Sequence, residues 1–513
     1  MGESHGVKLL LPKRQLHLNE LVLLRPFEIG VDALPMKNAI PKLWIGEIVS
    51  RMLTALATIY IARIIGVEAY GLVGFVSAVM AYLLVFVRFG TDDIIVRELS
   101  RNDALDEPGK SQLRTTAIIA RIVFSIPAIG LLTVLAFSSE TATLQHLYIA
   151  SIIALLGAIL PVEGFLQSEE KFASMAGYRI LANLLNLILV LVFVRSVSTS
   201  WVVPAASGAG VLAGEAVFFR AIRGSLAVPS FSFIKRRWKY LTVQGLPLFG
   251  SMLLLLLVGQ LTIIIVRSFC STQELGWYVA GYKIYDVGNA LIVPTATVLF
   301  PKLSSLWQHP DASKRTSLIV SGIGITTSIA FLLLGGALLG GTEIIPFLFG
   351  RGFTRSSLYV SILAVALVFR SISMLLANAL VAAGRQRTHL LVTFIFVAVN
   401  VILSVLLVRR YGALGGAISI VIAFACELVS FLVASRKSIA LSKVLMLLTR
   451  IVTIWGCVFV PLYAITLYLR VDGDMSVALA GALAVAFLAL FSYCIGKFNI
   501  VTLSLIRKNL FEA

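Results

Sequence analysis

The sequence predicts an all-α polytopic membrane protein with about 14 transmembrane helices: two six-helix lobes related by an internal repeat, plus two C-terminal helices. Of its 513 residues, 59% are hydrophobic and only 13% are charged, whereas soluble domains carry roughly 25% charged residues. Apolar runs long enough to cross a hydrocarbon core of ~30 Å recur along the chain. Matching residues also reappear about 204 to 214 positions apart, as expected for a duplicated unit.

Residues 1–42 form a basic segment that lacks the apolar core of a signal peptide, and we predict a cytoplasmic tail. Met36 offers an alternative start, so whether residues 1–35 belong to the mature protein is left open. Fourteen apolar segments follow. Their approximate cores are 43–65, 70–90, 115–137, 144–166, 173–194, 199–221, 241–266, 275–300, 316–349, 356–382, 388–408, 413–434, 445–469 and 476–496.

These segments group into an N-terminal lobe (43–222), a basic cytoplasmic linker (223–240), a C-terminal lobe (241–437), and two extra helices with a C-terminal tail (438–513). The repeat is visible in residues that follow one another in the same order in both lobes. The matches are Arg63 with Arg267, Gly71 with Gly276, Asn186 with Asn400, and Ala213-Gly214-Glu215 with Ala425-Cys426-Glu427.

The distribution of basic residues predicts the orientation. With the N-terminus inside, about 28 Lys and Arg fall in inside loops and tails, against about 7 in outside loops, as the positive-inside rule expects. Residues 235–239 form the densest inside cluster. Both termini are therefore predicted to be cytoplasmic, in a multi-pass protein of the inner or plasma membrane. Outside loops of about a dozen residues at most leave no room for an external domain.

Several function classes are disfavoured by what the sequence contains. The net charge of +18 does not indicate nucleic-acid binding, because no polar basic domain lies outside the apolar segments. The four cysteines have no metal-ligand spacing, and no nucleotide loop, HExxH or GxSxG motif is present. We therefore expect no cofactor, no metal and no catalysis. A membrane enzyme is the competing class, but the paired-acid stretch that would suit it best, Asp92-Asp93, falls on the inside.

Six short motifs carry a resemblance to a known family. The chain resembles the polysaccharide-transporter (Wzx-type) flippases of the multidrug/oligosaccharidyl-lipid/polysaccharide exporter superfamily, from about residue 37 to the end of the twelfth segment. Glycines in these motifs are expected at helix ends and close helix contacts. The motifs are residues 62–71 (ARIIGVEAYG), 96–99 (VREL), 300–304 (FPKLS), 348–353 (LFGRGF), 383–386 (AGRQ) and 411–417 (YGALGGA).

This resemblance implies two six-helix lobes around a central cavity. It also implies movement of polyprenyl-diphosphate-linked oligosaccharide from the cytoplasmic to the outer leaflet. The implied partners are the lipid-linked oligosaccharide, membrane lipids, H⁺ or Na⁺ as coupling ion, and polysaccharide-assembly proteins. A peptidoglycan lipid-precursor flippase and a multidrug exporter of the same superfamily remain alternatives. Drug exporters usually handle cations, so a cavity rich in arginine argues against the last.

Charged side chains inside apolar segments are the candidate site residues, because a charge at the bilayer centre costs ~3 kcal/mol or more. The planar guanidinium group of arginine can donate two parallel hydrogen bonds to a pair of phosphate oxygens. We therefore predict a cationic substrate-binding cavity. The alternative is that the arginines pair with Glu163, Glu215 or Glu427 across helices, while Arg63 and Arg450 snorkel to the interface. The predicted cavity arginines are Arg51, Arg88, Arg121, Arg179 and Arg370.

Four acids are candidates for ion coupling, because a buried carboxylate can carry a proton through a transport cycle. Glu215 and Glu427 occupy matching repeat positions, and Glu47 and Asp286 are the others. The alternative for Glu215 and Glu427 is inherited pairing at a repeat interface. Three spacings also favour local ion pairs on one helical face. They are Glu47 with Arg51, Arg88 with Asp92, and Lys283 with Asp286.

Overall fold

A computed structural model describes residues 36–99, 107–222, 231–307, 312–436, 439–471 and 476–497, together with Leu226 and Pro229. The predicted tail 1–35 lies outside the described residues. The described part forms fifteen α-helices. They are α1 (Met36–Arg88), α2 (Thr91–Leu99), α3 (Glu107–Phe137), α4 (Ala142–Leu156), α5 (Val162–Ser168), α6 (Phe172–Phe193), α7 (Val202–Ile222), α8 (Phe231–Phe269), α9 (Thr272–Trp307), α10 (Ala312–Phe349), α11 (Ser356–Ala382), α12 (Gln386–Tyr411), α13 (Ala413–Ser435), α14 (Leu441–Val471) and α15 (Val477–Lys497).

The long helix α1 contains the first two predicted segments, separated by Gly66. Gly66 has a φ of 72° and a ψ of 179°, a conformation that glycine adopts readily because it lacks a Cβ. The helical hydrogen-bond ladder is interrupted there, so residues 36–65 and 67–88 are separate helical runs. We call the side of the bundle that carries this break the Gly66 end, and the opposite side, where α1 finishes, the Arg88 end.

The all-helical membrane fold is confirmed, whereas the count of 14 crossings is not. In the described part of the chain, eleven helices are long and apolar enough to cross a membrane, or twelve if the bent α8 is included. Residues 46–99 count as one of these despite the break at Gly66. The predicted segment 144–166 is divided into the fifteen-residue α4 and the short α5.

The basic segment predicted as the linker 223–240 overlaps a helix, because α8 begins at Phe231. Its first turns are held by tertiary contacts. The Trp238 ring stacks on Phe124 of α3, with centroids 5.8 Å apart, and Tyr240 Oη donates to Glu98 Oε1 at 2.6 Å. Tertiary packing of this kind stabilises helices that propensity alone would leave marginal. Further on, α8 bends by 53° between residues 254 and 256.

Two groups of helices correspond to the predicted lobes. Helices α1, α3, α4, α6 and α7 pack on one another, as do α9 to α13, and α1 contacts α8 and α9 across the boundary. The extra helices α14 and α15 pack on α10. Near the Gly66 end, the two lobes approach closely at two repeat-related glycines. A Cβ on Gly71 would lie 2.7 Å from the backbone nitrogen of Gly276.

Gly276→Ala is expected to destabilise the boundary between the lobes. A Cβ at this position would overlap the carbonyl oxygen of Val67, and overpacking of this kind costs ~1–3 kcal/mol. The matched control is Gly456→Ala in α14, where a Cβ meets no atom within 4 Å. Alanine is the better helix former by about 1 kcal/mol. Thermal midpoints of the purified protein should therefore fall for Gly276→Ala and stay level or rise for Gly456→Ala.

Candidate functional site

A cavity of about 270 Å³ lies where the N-terminal lobe meets α9. Its polar lining consists mostly of hydroxyl and amide groups, with a single lysine. Such groups can donate and accept hydrogen bonds without carrying charge. The polar lining residues are Thr54, Thr58, Ser77, Ser151, Asn186, Ser207 and Lys283.

Charged residues continue the lining of this cavity toward the Arg88 end. On α1, the successive residues Glu47, Arg51, Thr54 and Thr58 are four, three and four positions apart, so all four share one helical face. On α6, Arg179 and Asn183 share a face with Asn186 in the same way. On α9, Asp286 lies three residues beyond Lys283. Three helices therefore present polar stripes that converge on one cavity.

Five of the charges lie at the same depth in the bundle. Each lies fourteen residues along its helix from the helix terminus that is at the Gly66 end of the bundle. Asp286, for example, follows Thr272, the first residue of α9, by fourteen positions. At 1.5 Å per residue this is about 21 Å along the helix axis, less than the ~30 Å that a spanning helix needs to cross a hydrocarbon core. The five members of this layer are Arg51, Arg179, Asp286, Arg370 and Glu427.

Arg179 is the centre of an ion-pair network in the N-terminal lobe. Its Nε donates to Glu163 Oε1 at 2.7 Å, and its Nη1 donates to Glu47 Oε2 at 2.6 Å. The other oxygen of Glu47 pairs with Arg51 Nη2 at 2.7 Å. The Arg179 side chain is 32% exposed and that of Arg51 is 58% exposed. Two of the predicted cavity arginines, Arg51 and Arg179, thus share the Glu47 carboxylate and are accessible, although acidic side chains neutralise their charges.

Hydrogen bonds join this network to the cavity. Asn183 Nδ2 donates to Ser50 Oγ at 2.6 Å and to the Arg179 carbonyl oxygen at 3.0 Å. Thr54 Oγ1 then donates to Asn183 Oδ1 at 3.1 Å. Thr54 itself lines the cavity, so charged and neutral parts form one continuous polar surface.

Lys283 is a candidate that sequence reasoning did not select. Its spacing from Asp286 indicated a neutralised pair, but the two form no ion pair within 4.0 Å. Lys283 instead lines the cavity. Asp286 is close enough to both Lys283 and Arg51 to feel their charges. The signal that could have identified Lys283 is its position as a cation within an apolar segment, the criterion that selected the arginines.

Arg88 and Arg121 occupy different surroundings from each other. Arg88 ends α1, is exposed, and makes no ion pair with Asp92 or any other described acid. Arg121 is only 2% exposed; its Nη2 lies 2.5 Å from Asp92 Oδ1. Its Nε donates to Thr91 Oγ1 at 2.8 Å and its Nη1 to the Ala158 carbonyl oxygen at 3.1 Å. Each of the three guanidinium nitrogens of Arg121 therefore contacts a protein oxygen.

The C-terminal lobe holds the fifth predicted arginine away from this cavity. Arg370 Nη1 lies 3.7 Å from Glu427 Oε1, and its guanidinium stands 5.7 Å from the centre of the Phe424 ring. Arg370 is not among the residues that line the cavity. The alternative interpretation, in which the arginines pair with Glu163, Glu215 or Glu427, applies to two of them: Arg179 pairs with Glu163 and Arg370 with Glu427.

Glu215 and Glu427 are buried, with 2% and 3% exposure. In each, Oε2 has no hydrogen-bond partner among the described residues. Glu215 is near the charges of Arg121 and Arg88. Within the described residues, no cluster of three or more His, Cys, Asp or Glu could hold a metal ion.

Comparison with known proteins places the chain in a family. The family model described as "Polysaccharide biosynthesis protein" matches residues 38–307, just over half of the chain. The "Probable low-salt glycan biosynthesis flippase Agl15" of Haloferax volcanii is 24% identical over 43% of this chain and 46% of the relative. The "Probable flippase AglR" of the same organism is 24% identical over 71% of this chain and 76% of the relative.

A solved structure titled "Lipid II flippase MurJ, inward closed conformation" matches with a TM-score of 0.70 and 17% identity. The match covers 91% of this chain and 99% of that one. This likeness establishes a shared fold. Together with the apolar helices, it identifies a multi-pass membrane protein. On the strength of the family match, the chain belongs to the polysaccharide biosynthesis protein family.

Proposed function

We propose that this protein is a flippase that moves a lipid-linked glycan, an oligosaccharide on polyprenyl diphosphate, from the cytoplasmic to the outer leaflet. The observation that carries the proposal is the set of polar stripes on α1, α6 and α9 that converge deep inside an apolar bundle. Polar groups at that depth mark a substrate or ion pathway. Membership of a polysaccharide biosynthesis family supports a glycan as cargo.

The charged and neutral parts of the site suit different parts of such a lipid. The diphosphate binds Arg51, Arg179 and Lys283, since guanidinium forks bind phosphate oxygens in pairs. The first sugars occupy the hydroxyl- and amide-lined cavity, and the polyprenyl chain stays in the bilayer. Arg88 attracts the headgroup at the Arg88 end. Arg370 serves a second step from the C-terminal lobe, and Arg121 supports the fold.

Glu47 and Glu163 act as internal counter-ions in this scheme. They hold Arg179 when no phosphate is present, and phosphate oxygens take their places when substrate enters. A guanidinium held between two carboxylates keeps its charge compensated at a depth where an unpaired charge is costly. The site can thus be empty without exposing an uncompensated arginine to the membrane interior.

Ion coupling is the second half of the proposal. Glu215 and Glu427 each have an unpartnered oxygen, while Glu47 and Asp286 face the arginines of the site. These four acids are the proposed carriers of H⁺ or Na⁺. A carboxylate that exchanges its cation between the two sides of the membrane links ion flow to the position of the lobes.

The plasma membrane is the proposed location, with both termini in the cytoplasm. The excess of Lys and Arg in the loops of the Arg88 end supports this orientation. The Gly66 end then faces outward. We propose transport without catalysis, with polysaccharide-assembly proteins receiving the glycan outside.

A peptidoglycan lipid-precursor flippase is the second candidate. The structural match to a lipid II flippase, with a TM-score of 0.70 over 91% of this chain, exceeds the match to a multidrug transporter, with 0.62 over 78%, and so favours it over a multidrug exporter. Both lipids present a diphosphate, so the site chemistry described above serves either one.

Reconstitution in liposomes tests the proposal. A fluorescent polyprenyl-diphosphate oligosaccharide should become accessible to an impermeant quencher from the opposite leaflet only when the protein is present. Lipid II and a cationic drug provide the comparison arms. Translocation of the glycan lipid at the highest rate supports the proposal, whereas translocation of the drug alone would exclude it.

A further inference from the structure

Two of the family-like motifs meet at the Gly66 end, although they belong to different lobes. Residues 62–71 surround the break in α1, and residues 348–353 follow the end of α10. The sequence predicts that their glycines lie at helix ends and that the Arg63 side chain extends to the membrane interface. The structure gives Arg63 and Tyr70 contacts across the lobe boundary.

Arg63 caps a helix of the opposite lobe. Its Nε donates to the Leu348 carbonyl oxygen at 2.7 Å, and its Nη2 donates to the Phe347 carbonyl oxygen. Both carbonyls lie in the last turn of α10, where carbonyl groups lack partners within the helix. A cation at a helix C-terminus is also favoured by the helix dipole. The guanidinium also lies over the Phe347 ring, 5.8 Å from its centre, so hydrogen bonds and a cation–π contact together tie α1 to α10.

Tyr70 lies directly beneath this contact. It lines the cavity and packs edge-on against Phe349 and Phe353, with ring centroids 6.4 and 5.6 Å away. The Tyr70 ring thus connects the lining of the cavity to the segment that joins α10 to α11. Tyr70 is 4% exposed, and its hydroxyl has no partner among the described residues. Buried tyrosine hydroxyls usually find a partner, and one without a partner is costly.

We propose that Arg63 and Tyr70 are gating residues at the Gly66 end, and that their contacts with residues 347–353 part when cargo leaves the cavity. The proposal rests on the proposed function for the direction of exit. The closed gate consists of one capping arginine and one aromatic cluster. Both groups of contacts join the same two segments, so they separate together when α1 moves away from α10.

Thiol accessibility tests the gate without any cargo. The reporter is Ser77→Cys, an exposed cavity-lining position, in a chain whose four native cysteines are replaced by serine. Arg63→Ala should raise the labelling rate by an impermeant maleimide added outside intact cells by about tenfold. Arg195→Ala is the matched control. Arg195 also donates to a helix-terminal carbonyl, that of Val192 at 2.9 Å, but within its own lobe, so labelling should not change.

A cross-link tests the same gate in the opposite direction. A Cβ at Gly352 lies 3.0 Å from Val67 Cγ2 across the lobes, so Val67→Cys with Gly352→Cys should form a disulfide. Oxidation should suppress labelling at position 77 in the Arg63→Ala background, and reduction should restore it, with the label at position 77 measured by peptide mass spectrometry so that the freed thiols at 67 and 352 are counted separately. Unchanged labelling in Arg63→Ala and Tyr70→Ala, or full labelling of the oxidised pair, would overturn the gate. Neither result depends on which lipid is carried.

Discussion

Arg179→Ala is expected to reduce translocation of the lipid-linked glycan at least about tenfold while the protein still inserts in the membrane. Hydrogen bonds to charged groups contribute ~1.5–3 kcal/mol, and about 1.4 kcal/mol corresponds to a factor of ten. Arg179 holds two carboxylates at 2.6 and 2.7 Å, positions that a diphosphate would occupy. Arg179→Lys should recover only part of the rate, because an ammonium cannot present two parallel donors.

Two further variants separate phosphate binding from charge balance. Arg179→Ala leaves Glu163 without its partner, so Arg179→Ala combined with Glu163→Gln removes the leftover charge. If Arg179 binds phosphate, the double variant should translocate the lipid as slowly as Arg179→Ala. Recovery of the wild-type rate would show that Arg179 serves only as the counter-ion of Glu163. Arg450→Ala is the matched control, since Arg450 is an exposed arginine on the peripheral α14 and its loss should leave the rate unchanged.

The membrane fold could be predicted from the sequence because the length of each apolar segment is a property of consecutive residues. Each predicted apolar segment has a helical counterpart, and the glycine at position 66 interrupts α1 where the first two segments were separated. The repeat stays a prediction, although two of its matched residues, Gly71 and Gly276, meet at the lobe boundary. The number of crossings was less accessible, because a break such as that between α4 and α5 depends on tertiary packing.

The candidate site could be predicted only in part, because charge pairing across helices is not encoded locally. The pair of Glu47 with Arg51 follows from spacing within one helix. By contrast, Asp92 lies four residues after Arg88 yet pairs with Arg121 of α3. Lys283 likewise has no ion pair with its neighbour Asp286 and faces the cavity. Which acid reaches which arginine depends on helix rotation and packing, and sequence spacing alone does not report either.

Arg121→Ala is expected to destabilise the protein rather than impair translocation selectively. Removing one partner of a fully buried ion pair costs ~3–5 kcal/mol, because the remaining charge is left uncompensated; since the remaining Asp92 is 30% exposed, we expect a cost below that range. Arg121 also donates to Thr91 and to the Ala158 carbonyl, so it joins α3 to the start of α2 and to the end of α4. Its loss should lower both the amount of folded protein in the membrane and the thermal midpoint.

The rescue variant distinguishes a structural arginine from a substrate-binding one. Arg121→Met combined with Asp92→Asn replaces the ion pair by neutral side chains of similar volume, and such replacements are often neutral or stabilising. The double variant should therefore regain most of the folded protein and most of the translocation rate. If it folds normally but does not transport, Arg121 belongs to the substrate site after all. The two roles predict opposite translocation rates for a well-folded double variant. This comparison therefore decides whether Arg121 must be added to Arg51, Arg179 and Lys283 as a cation that binds substrate.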